Sequence, residues 1–273
     1  MDRTTKRAYA KLNLTLGVLY KRADGYHALD SIMQTIDLHD TVTIERARDI
    51  LVTGTGMVLP YDNTLRRAAE QYRALTGRGA HIRVVKRIPA EAGLGGGSAD
   101  AAAALNGLQE LYGEVDEKTL LEIGAKVGAD VPFCLRGGLQ RAEGIGDVLT
   151  PLRGMKLHLL VAKPAAGVST RKLFSLLKLP RVMPQTASAL KALSDGDLDA
   201  LCPLFFNALE EPAIALVPEI GRIKADMLAL GAKAACMSGS GSAVFGVFAD
   251  KAAAEAARPQ LDGVAFARVC ESI

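Results

Sequence analysis

The chain has 273 residues, 49% of them hydrophobic, and a formal net charge of +3 at neutral pH. It is long enough for one large domain or two ordinary ones, and too apolar to be disordered. The mild, scattered charge lacks the concentrated basic face that nucleic acid requires, and no apolar run approaches the ~20 residues of a membrane span. A soluble protein that binds neither nucleic acid nor membrane is expected.

Cys134, Cys202, Cys236 and Cys270 stand far apart, with no Cys-x-x-Cys pair and no histidine at metal-ligand spacing. This usage reads as reduced thiols in a cytoplasmic protein. The N-terminus is basic from Met1 to Arg7, but Lys11 and Asn13 interrupt the apolar run that a secretory signal needs.

From Ala8 to Leu19 the pattern alternates: Ala10, Leu12, Leu14, Leu16 and Val18 on one face, Tyr9, Lys11, Asn13 and Thr15 on the other. This predicts a half-buried strand with a polar face. A turn-rich loop follows at Lys21–His27, and strands are predicted at Thr41–Glu45 and His81–Val85. Asn63–Leu75 reads as a helix capped by Asn63, with a stripe of Leu65, Ala68, Ala69 and Tyr72 and Gly77 past its end. An alanine-rich helix is predicted over Ala99–Tyr112, and another over Glu117–Val127 with Asp116 as cap. Pro132 predicts an extended or turn conformation at Val131. A second half is placed from about Pro151, giving domains 1–152 and 153–273. It holds strands at Lys156–Ala162, Lys233–Met237, Ala243–Phe248 and Val264–Val269, with helices after Ser169, around Glu219–Leu230 and after Asp250.

The strongest chemical signal lies between Lys86 and Ser98. A strand ends, Pro89 blocks its continuation, and Gly93-Leu94-Gly95-Gly96-Gly97-Ser98 opens onto a helix. Backbone N–H groups at a helix N-terminus, at the positive end of its dipole, form an anion site. Ser98 can cap the helix, or offer its hydroxyl to a phosphate or Mg²⁺. The plain alternative is a flexible turn with a simple cap. A Walker A loop would need a lysine before Ser98, and a Rossmann fingerprint a third glycine at that position. Neither is present.

Three further segments carry chemistry less specifically. Lys11 and Asn13 point the same way from one strand, either as solvated polar groups or toward a ligand. Asp130 lies in a Gly-x-Asp-x-Pro turn, where it serves local hydrogen bonding or acts as a general base toward an alcohol. Ser238-Gly239-Ser240-Gly241-Ser242 reads as a tight turn between strands, able to enclose a ligand only if folding brings it to the first loop. His27 stands in a Gly-Tyr-His turn, whereas His39, His81 and His158 have no partner pattern and read as structural.

Together these segments resemble the GHMP kinase superfamily, whose signature loop reads here Pro89-Ala90-Glu91-Ala92-Gly93-Leu94-Gly95-Gly96-Gly97-Ser98. The finer resemblance is to the branch that phosphorylates a cytidine-diphosphate-linked methylerythritol for isoprenoid precursors. It rests on Ala10–Leu14, Arg22–His27, Gly93–Ala102 and Gly128–Phe133, and extends to Ser238–Gly241.

The resemblance implies an α/β (α+β) fold of two domains, the first like ribosomal protein S5 and the second ferredoxin-like, with the active site in a cleft between them. It implies ATP as phosphate donor, Mg²⁺, and a cytidine-diphosphate-linked polyol as acceptor, in a monomer or weak homodimer. By motif match Asp130 and Lys11 are the catalytic pair. Pro89, Gly93, Leu94, Gly95, Gly96, Gly97 and Ser98 hold the ATP phosphates, Ser98 also reaching the metal, with Asn63 and Lys86 near the nucleotide. Asn13, Tyr26, His27 and Phe174 bind the acceptor, Tyr26 and Phe174 enclosing cytosine.

Two departures stand out. Ala90-Glu91-Ala92 replaces the loop's usual methionine, small residues and glycine, so Glu91 is expected to face solvent. Ala99 replaces a common second serine. A kinase for mevalonate or homoserine is disfavoured by Gly25-Tyr26-His27. A non-catalytic nucleotide-binding module is disfavoured by Lys11 and Asp130, which binding alone does not need.

Overall fold

A computed structural model describes residues 1–177 and 183–273. The chain opens with two long strands, β1 (Arg3–Lys21) and β2 (His27–Ala47). There follow β3 (Ile50–Thr55), α1 (Thr64–Thr76), β4 (Gly79–Val85), α2 (Gly96–Tyr112), α3 (Glu117–Val127) and α4 (Val131–Arg136). Next come β5 (Leu139–Gly144), β6 (Val148–Pro151), β7 (His158–Lys163), α5 (Thr170–Leu176), α6 (Thr186–Asp195) and α7 (Leu198–Leu201). The chain closes with β8 (Phe206–Asn207), α8 (Glu210–Leu216), α9 (Glu219–Ala229), β9 (Ala234–Met237), β10 (Val244–Phe248), α10 (Lys251–Ala257) and β11 (Phe266–Glu271). None of the described helices is long and apolar enough to cross a membrane. Two compact units interleave along the sequence. The first holds Met1–Lys11, Leu38–Ile88 and Gly95–Gly137; the second holds Leu12–Asp37, Pro89–Leu94 and Gly138–Ile273.

In the first unit β2 pairs antiparallel with β4, from Thr41 opposite Val85 to Ala47 opposite Gly79, and β3 runs parallel along the far edge of β4. α1 forms as its sequence predicts. Asn63 accepts from the Arg66 amide, Leu65, Ala68, Ala69 and Tyr72 are buried, and Gly77 closes the helix at φ 73°. α2 begins three residues before its alanine pattern predicts. Gly95 turns the chain at φ 69°, a left-handed conformation that glycine reaches without a Cβ penalty. Gly96, Gly97 and Ser98 thereby become the first helical turn, and Ser98 is not the cap. The alanines Ala99, Ala101, Ala102 and Ala104 are buried, so α2 can lie close against α1.

Two local expectations change. Val131 is not extended but opens α4, with Pro132 in the first turn, where a missing N–H costs no helical hydrogen bond. The polar face of β1 is not half-exposed either: Lys11 and Asn13 are each 4% exposed and Thr15 is fully buried. The alternation is real, but both faces of the strand are covered.

The second unit contains an antiparallel four-stranded sheet in the order β11-β7-β10-β9. Leu160, Ala162, Met237, Val244 and Phe248 from these strands share a core with Ile220, Ile223 and Met227 of α9 and with Ala254 and Ala257 of α10. β5 pairs with β2 over Leu29–Gln34 and with β6, and β8 joins β1 in parallel at Thr15 and Leu16.

Candidate active site

The first unit places Lys11 beside Asp130. The ammonium lies 3.4 Å from Asp130 Oδ2, with the lysine side chain 5% exposed and the aspartate 37%. A buried ammonium needs a counter-charge, because desolvation would otherwise outweigh what its stem gains by packing. Asp130 supplies one while keeping an open side. It stands at the N-cap position of α4, yet its carboxylate caps no backbone amide, so it is not committed to local structure.

The second half of the glycine loop adjoins this pair. A Cβ on Gly95 would stand 2.9 Å from Lys11 Cγ, and one on Gly128 would stand 3.8 Å from Ser98 Oγ. The Gly128–Asp130 turn and the lysine stem therefore flank the start of α2. The first intrahelical bond there runs from the Ala99 amide to the Gly95 carbonyl at 2.8 Å. The preceding amides of Gly96, Gly97 and Ser98 lie in the turn whose N–H groups have no intrahelical acceptor, and they form the positive end of the dipole.

Residues 86 and 63 take up less obvious positions. The Lys86 ammonium is buried between two carboxylates, paired with Asp40 and 2.6 Å from Asp100 Oδ2. Burial pushes the Asp100 carboxyl up to about 7, against the opposing pull of the Lys86 ammonium. The same ammonium lies 3.6 Å from where a Gly96 Cβ would be, so it supports α2 from beneath. The Asn63 side chain is engaged in its own turn, accepting from the Arg66 amide at 2.9 Å and donating to the Pro60 carbonyl at 2.7 Å. Its neighbour Thr64, which the sequence pattern does not single out, donates to the Gly97 carbonyl at 2.6 Å.

In the second unit the first half of the loop is laced to the Ser238–Ser242 turn. The amides of Ser242 and Ala243 donate to the carbonyls of Glu91 and Ala92 at 3.1 Å each, and Ser238 Oγ donates to the Gly93 carbonyl at 3.1 Å. Gly93 has φ 70°, and a Cβ there would collide with the Ser238 carbonyl oxygen. The two glycine-bearing loops that sequence alone leaves apart are thus in contact. Asn207, unmarked by any motif, anchors the turn by donating to the Met237 and Gly239 carbonyls at 2.7 and 2.8 Å. Glu91 is exposed, as expected, and its side chain lies over Gly167. Asn13 donates to Ser31 Oγ at 2.8 Å, and its own amide donates to Ser238 Oγ at 3.3 Å.

The same unit brings His27 onto Phe174, ring centroids 4.9 Å apart and 29° from parallel. Those two rings stack on each other and leave no room between them for a base, which would need two gaps of about 3.5 Å. Tyr26 is 62% exposed. Burial, then the nearby Lys21 charge, lowers the His27 pKa, so its imidazole is neutral at pH 7 and offers one donor and one acceptor. The other histidines make structural contacts: His39 with Tyr9, His81 with Asp49, and His158 with Glu271. All four cysteines are free thiols.

Glycine amides at a helix start next to a lysine–aspartate pair, on this mixed fold, point to a class. The N-terminal domain of the GHMP kinases matches residues 63–138, and their C-terminal domain matches residues 189–264. A 4-diphosphocytidyl-2-C-methyl-D-erythritol kinase from Caldicellulosiruptor saccharolyticus is 42% identical over 90% of this chain and 88% of its own length. One from Carboxydothermus hydrogenoformans is 44% identical over 87% of this chain and 86% of its own. A crystal structure of 4-(cytidine 5'-diphospho)-2C-methyl-D-erythritol kinase superposes with a TM-score of 0.86 at 36% identity, covering 98% of this chain and 99% of that one. Within the GHMP kinases, the chain belongs to the 4-diphosphocytidyl-2-C-methyl-D-erythritol kinase family.

Proposed function

We propose that the chain transfers the γ-phosphoryl group of ATP to the 2-hydroxyl of 4-diphosphocytidyl-2-C-methyl-D-erythritol, giving the 2-phosphate and ADP in the non-mevalonate route to isoprenoids. The observation that carries this reading is the Lys11–Asp130 pair set against Gly95 and the start of α2. Its support from outside the chain is the name shared by relatives that align over most of its length.

In this reading Asp130 accepts the hydroxyl proton as the oxygen attacks phosphorus, and Lys11 orients the carboxylate and offsets negative charge on the reacting oxygens. The amides of Gly95, Gly96, Gly97 and Ser98 hold polyphosphate, with Pro89, Gly93 and Leu94 shaping the approach, and Asn63 and Lys86 act on the nucleotide side. Among the described residues no cluster of three or more His, Cys, Asp or Glu is built to hold a metal. Mg²⁺ needs no such cluster, because it stays largely hydrated and is carried by nucleotide phosphates. Ser98 would be its protein oxygen, and the ion would neutralise charge on the transferred group. On the acceptor side Asn13 contacts the polyol. Cytosine stacks on Tyr26, and the neutral His27, backed by Phe174, presents ring nitrogens to the base edge. The reaction is assigned to the cytoplasm and to a monomer or weak homodimer, with domains 1–152 and 153–273.

ADP release against a panel of alcohols tests the assignment: the cytidyl methylerythritol, its uncapped phosphate, mevalonate and homoserine. Turnover confined to the cytidyl compound is expected, and preference for another alcohol would overturn the substrate. Asp130→Asn should lower kcat by about two orders of magnitude or more while ATP still binds. Near-normal turnover would remove Asp130 as the base.

A further inference from the structure

Three buried charges lie under the glycine loop. Asp40 on β2 is fully buried and uses both oxygens: Oδ1 accepts from the backbone amides of Arg87 and Ile88, the latter at 2.8 Å, and Oδ2 pairs with Lys86. Lys86 bridges onward to Asp100 Oδ2 on α2. Asp100 is itself 4% exposed, and its Oδ1 is buried with no hydrogen-bond partner among the described residues. One continuous network therefore ties the strand exit at Arg87 and Ile88 to the first turns of α2. These are the two ends of the phosphate loop, since the chain leaves this unit at Ile88 and re-enters it at Gly95. Ile88 also supports the loop sterically, its side chain lying 3.0 Å from where a Gly96 Cβ would stand.

A lysine near a phosphate loop invites the assumption that it binds phosphate directly. Here its ammonium already serves two carboxylates, so the group as a whole has no net positive charge. As a bare electrostatic element it would not attract polyphosphate. We propose that Asp40, Lys86 and Asp100 are positioning residues, which strengthen ATP binding by fixing the entry and exit of the glycine loop so that the first-turn amides of α2 converge on the phosphates. The inference rests on the reading of that loop as the ATP site.

The two roles predict opposite signs when a carboxylate is neutralised. If Lys86 served ATP through its charge, Asp40→Asn or Asp100→Asn would release the ammonium toward the nucleotide and tighten binding severalfold. If the network positions the loop, either substitution loosens one end and weakens binding by about tenfold, because a buried charge-assisted bond is lost. ATP binding to the full chain is measured by calorimetry without acceptor, and kcat and both KM values by ADP release, well below the melting temperature. The expected result is a higher Kd and KM for ATP in both variants, with kcat and the acceptor KM nearly unchanged. The double variant should cost less than the product of the two single effects, since both act through Lys86. Unchanged or tighter ATP binding in the variants, with the wild type binding normally, refutes the positioning role alone. Failure of the wild type to bind ATP refutes the reading of the loop itself. Should Asp40→Asn not fold, Asp100→Asn carries the same test from the helix side.

Discussion

Gly95→Ala probes whether the loop and the lysine–aspartate pair form one rigid assembly. Two costs arise. The backbone stands at φ 69°, where an L-residue is strained by roughly 1–2 kcal/mol. The new methyl would also lie 2.9 Å from Lys11 Cγ and 3.3 Å from its Cε. Lys11 is 4% exposed, so its stem has no solvent to move into, and any displacement is transmitted to the 3.4 Å contact with Asp130. Misplacing a catalytic group by about 1 Å can cost ~100-fold in rate, so a fall in kcat of about 10- to 100-fold is expected. Gly113→Ala is the matched control. It closes the same helix at φ 66°, but its nearest contact would be 4.0 Å away. It should share the backbone cost, about 2–4 °C in Tm per kcal/mol for a domain of 150–250 residues, and keep full activity. Thermal melts and ADP release on both proteins separate the two terms. If Gly95→Ala matches Gly113→Ala in both assays, Lys11 is not held by the loop and the assembly is looser than its geometry implies.

Two further outcomes follow from the second unit. Asn207→Ala removes two donated bonds and the one its Oδ1 accepts from the Leu209 amide at 2.9 Å, taking these partners from the Gly239 carbonyl and that amide and leaving the Met237 carbonyl the weak Cys236 thiol. Urea unfolding should show a loss of about 2–4 kcal/mol, and a loss under 1 kcal/mol would mean the turn holds itself. Tyr26→Ala should raise the acceptor KM about tenfold, since stacking on a base contributes ~1–3 kcal/mol, and leave the ATP KM and Tm unchanged because the ring is exposed. An equal rise in both KM values would give the loop another role.

Much of the fold was legible where a signal is local. The caps at Asn63 and Asp116, the stripe of α1 and the alternation of β1 each act within a few residues, so a single chain displays them. β8 spans two residues and α7 four, too short to show any period. α4 hid behind Pro132, whose rule about the preceding residue gave way once Val131 became the first residue of a helix. The start of α2 was misjudged for a similar reason: glycines look like loop, and here two of them form a helical turn because Gly95 supplies the bend.

The sequence by itself determined the chemistry available. It supplied a glycine run opening onto a helix, without a Walker lysine or a third Rossmann glycine, and it supplied Lys11, Asp130 and a Tyr-His turn in family order. Tertiary structure decided which groups meet and which are already engaged. Lys11 and Asp130 come together from a strand and a turn more than a hundred positions apart. Lys86, which the resemblance sets near the nucleotide, is paired with Asp40 and Asp100. The turn at Ser238 reaches the loop at Gly93, held by an asparagine that no pattern marks. Contacts of this kind depend on strand pairing and helix packing across the whole chain, and a buried charge takes whichever partner that packing brings within reach.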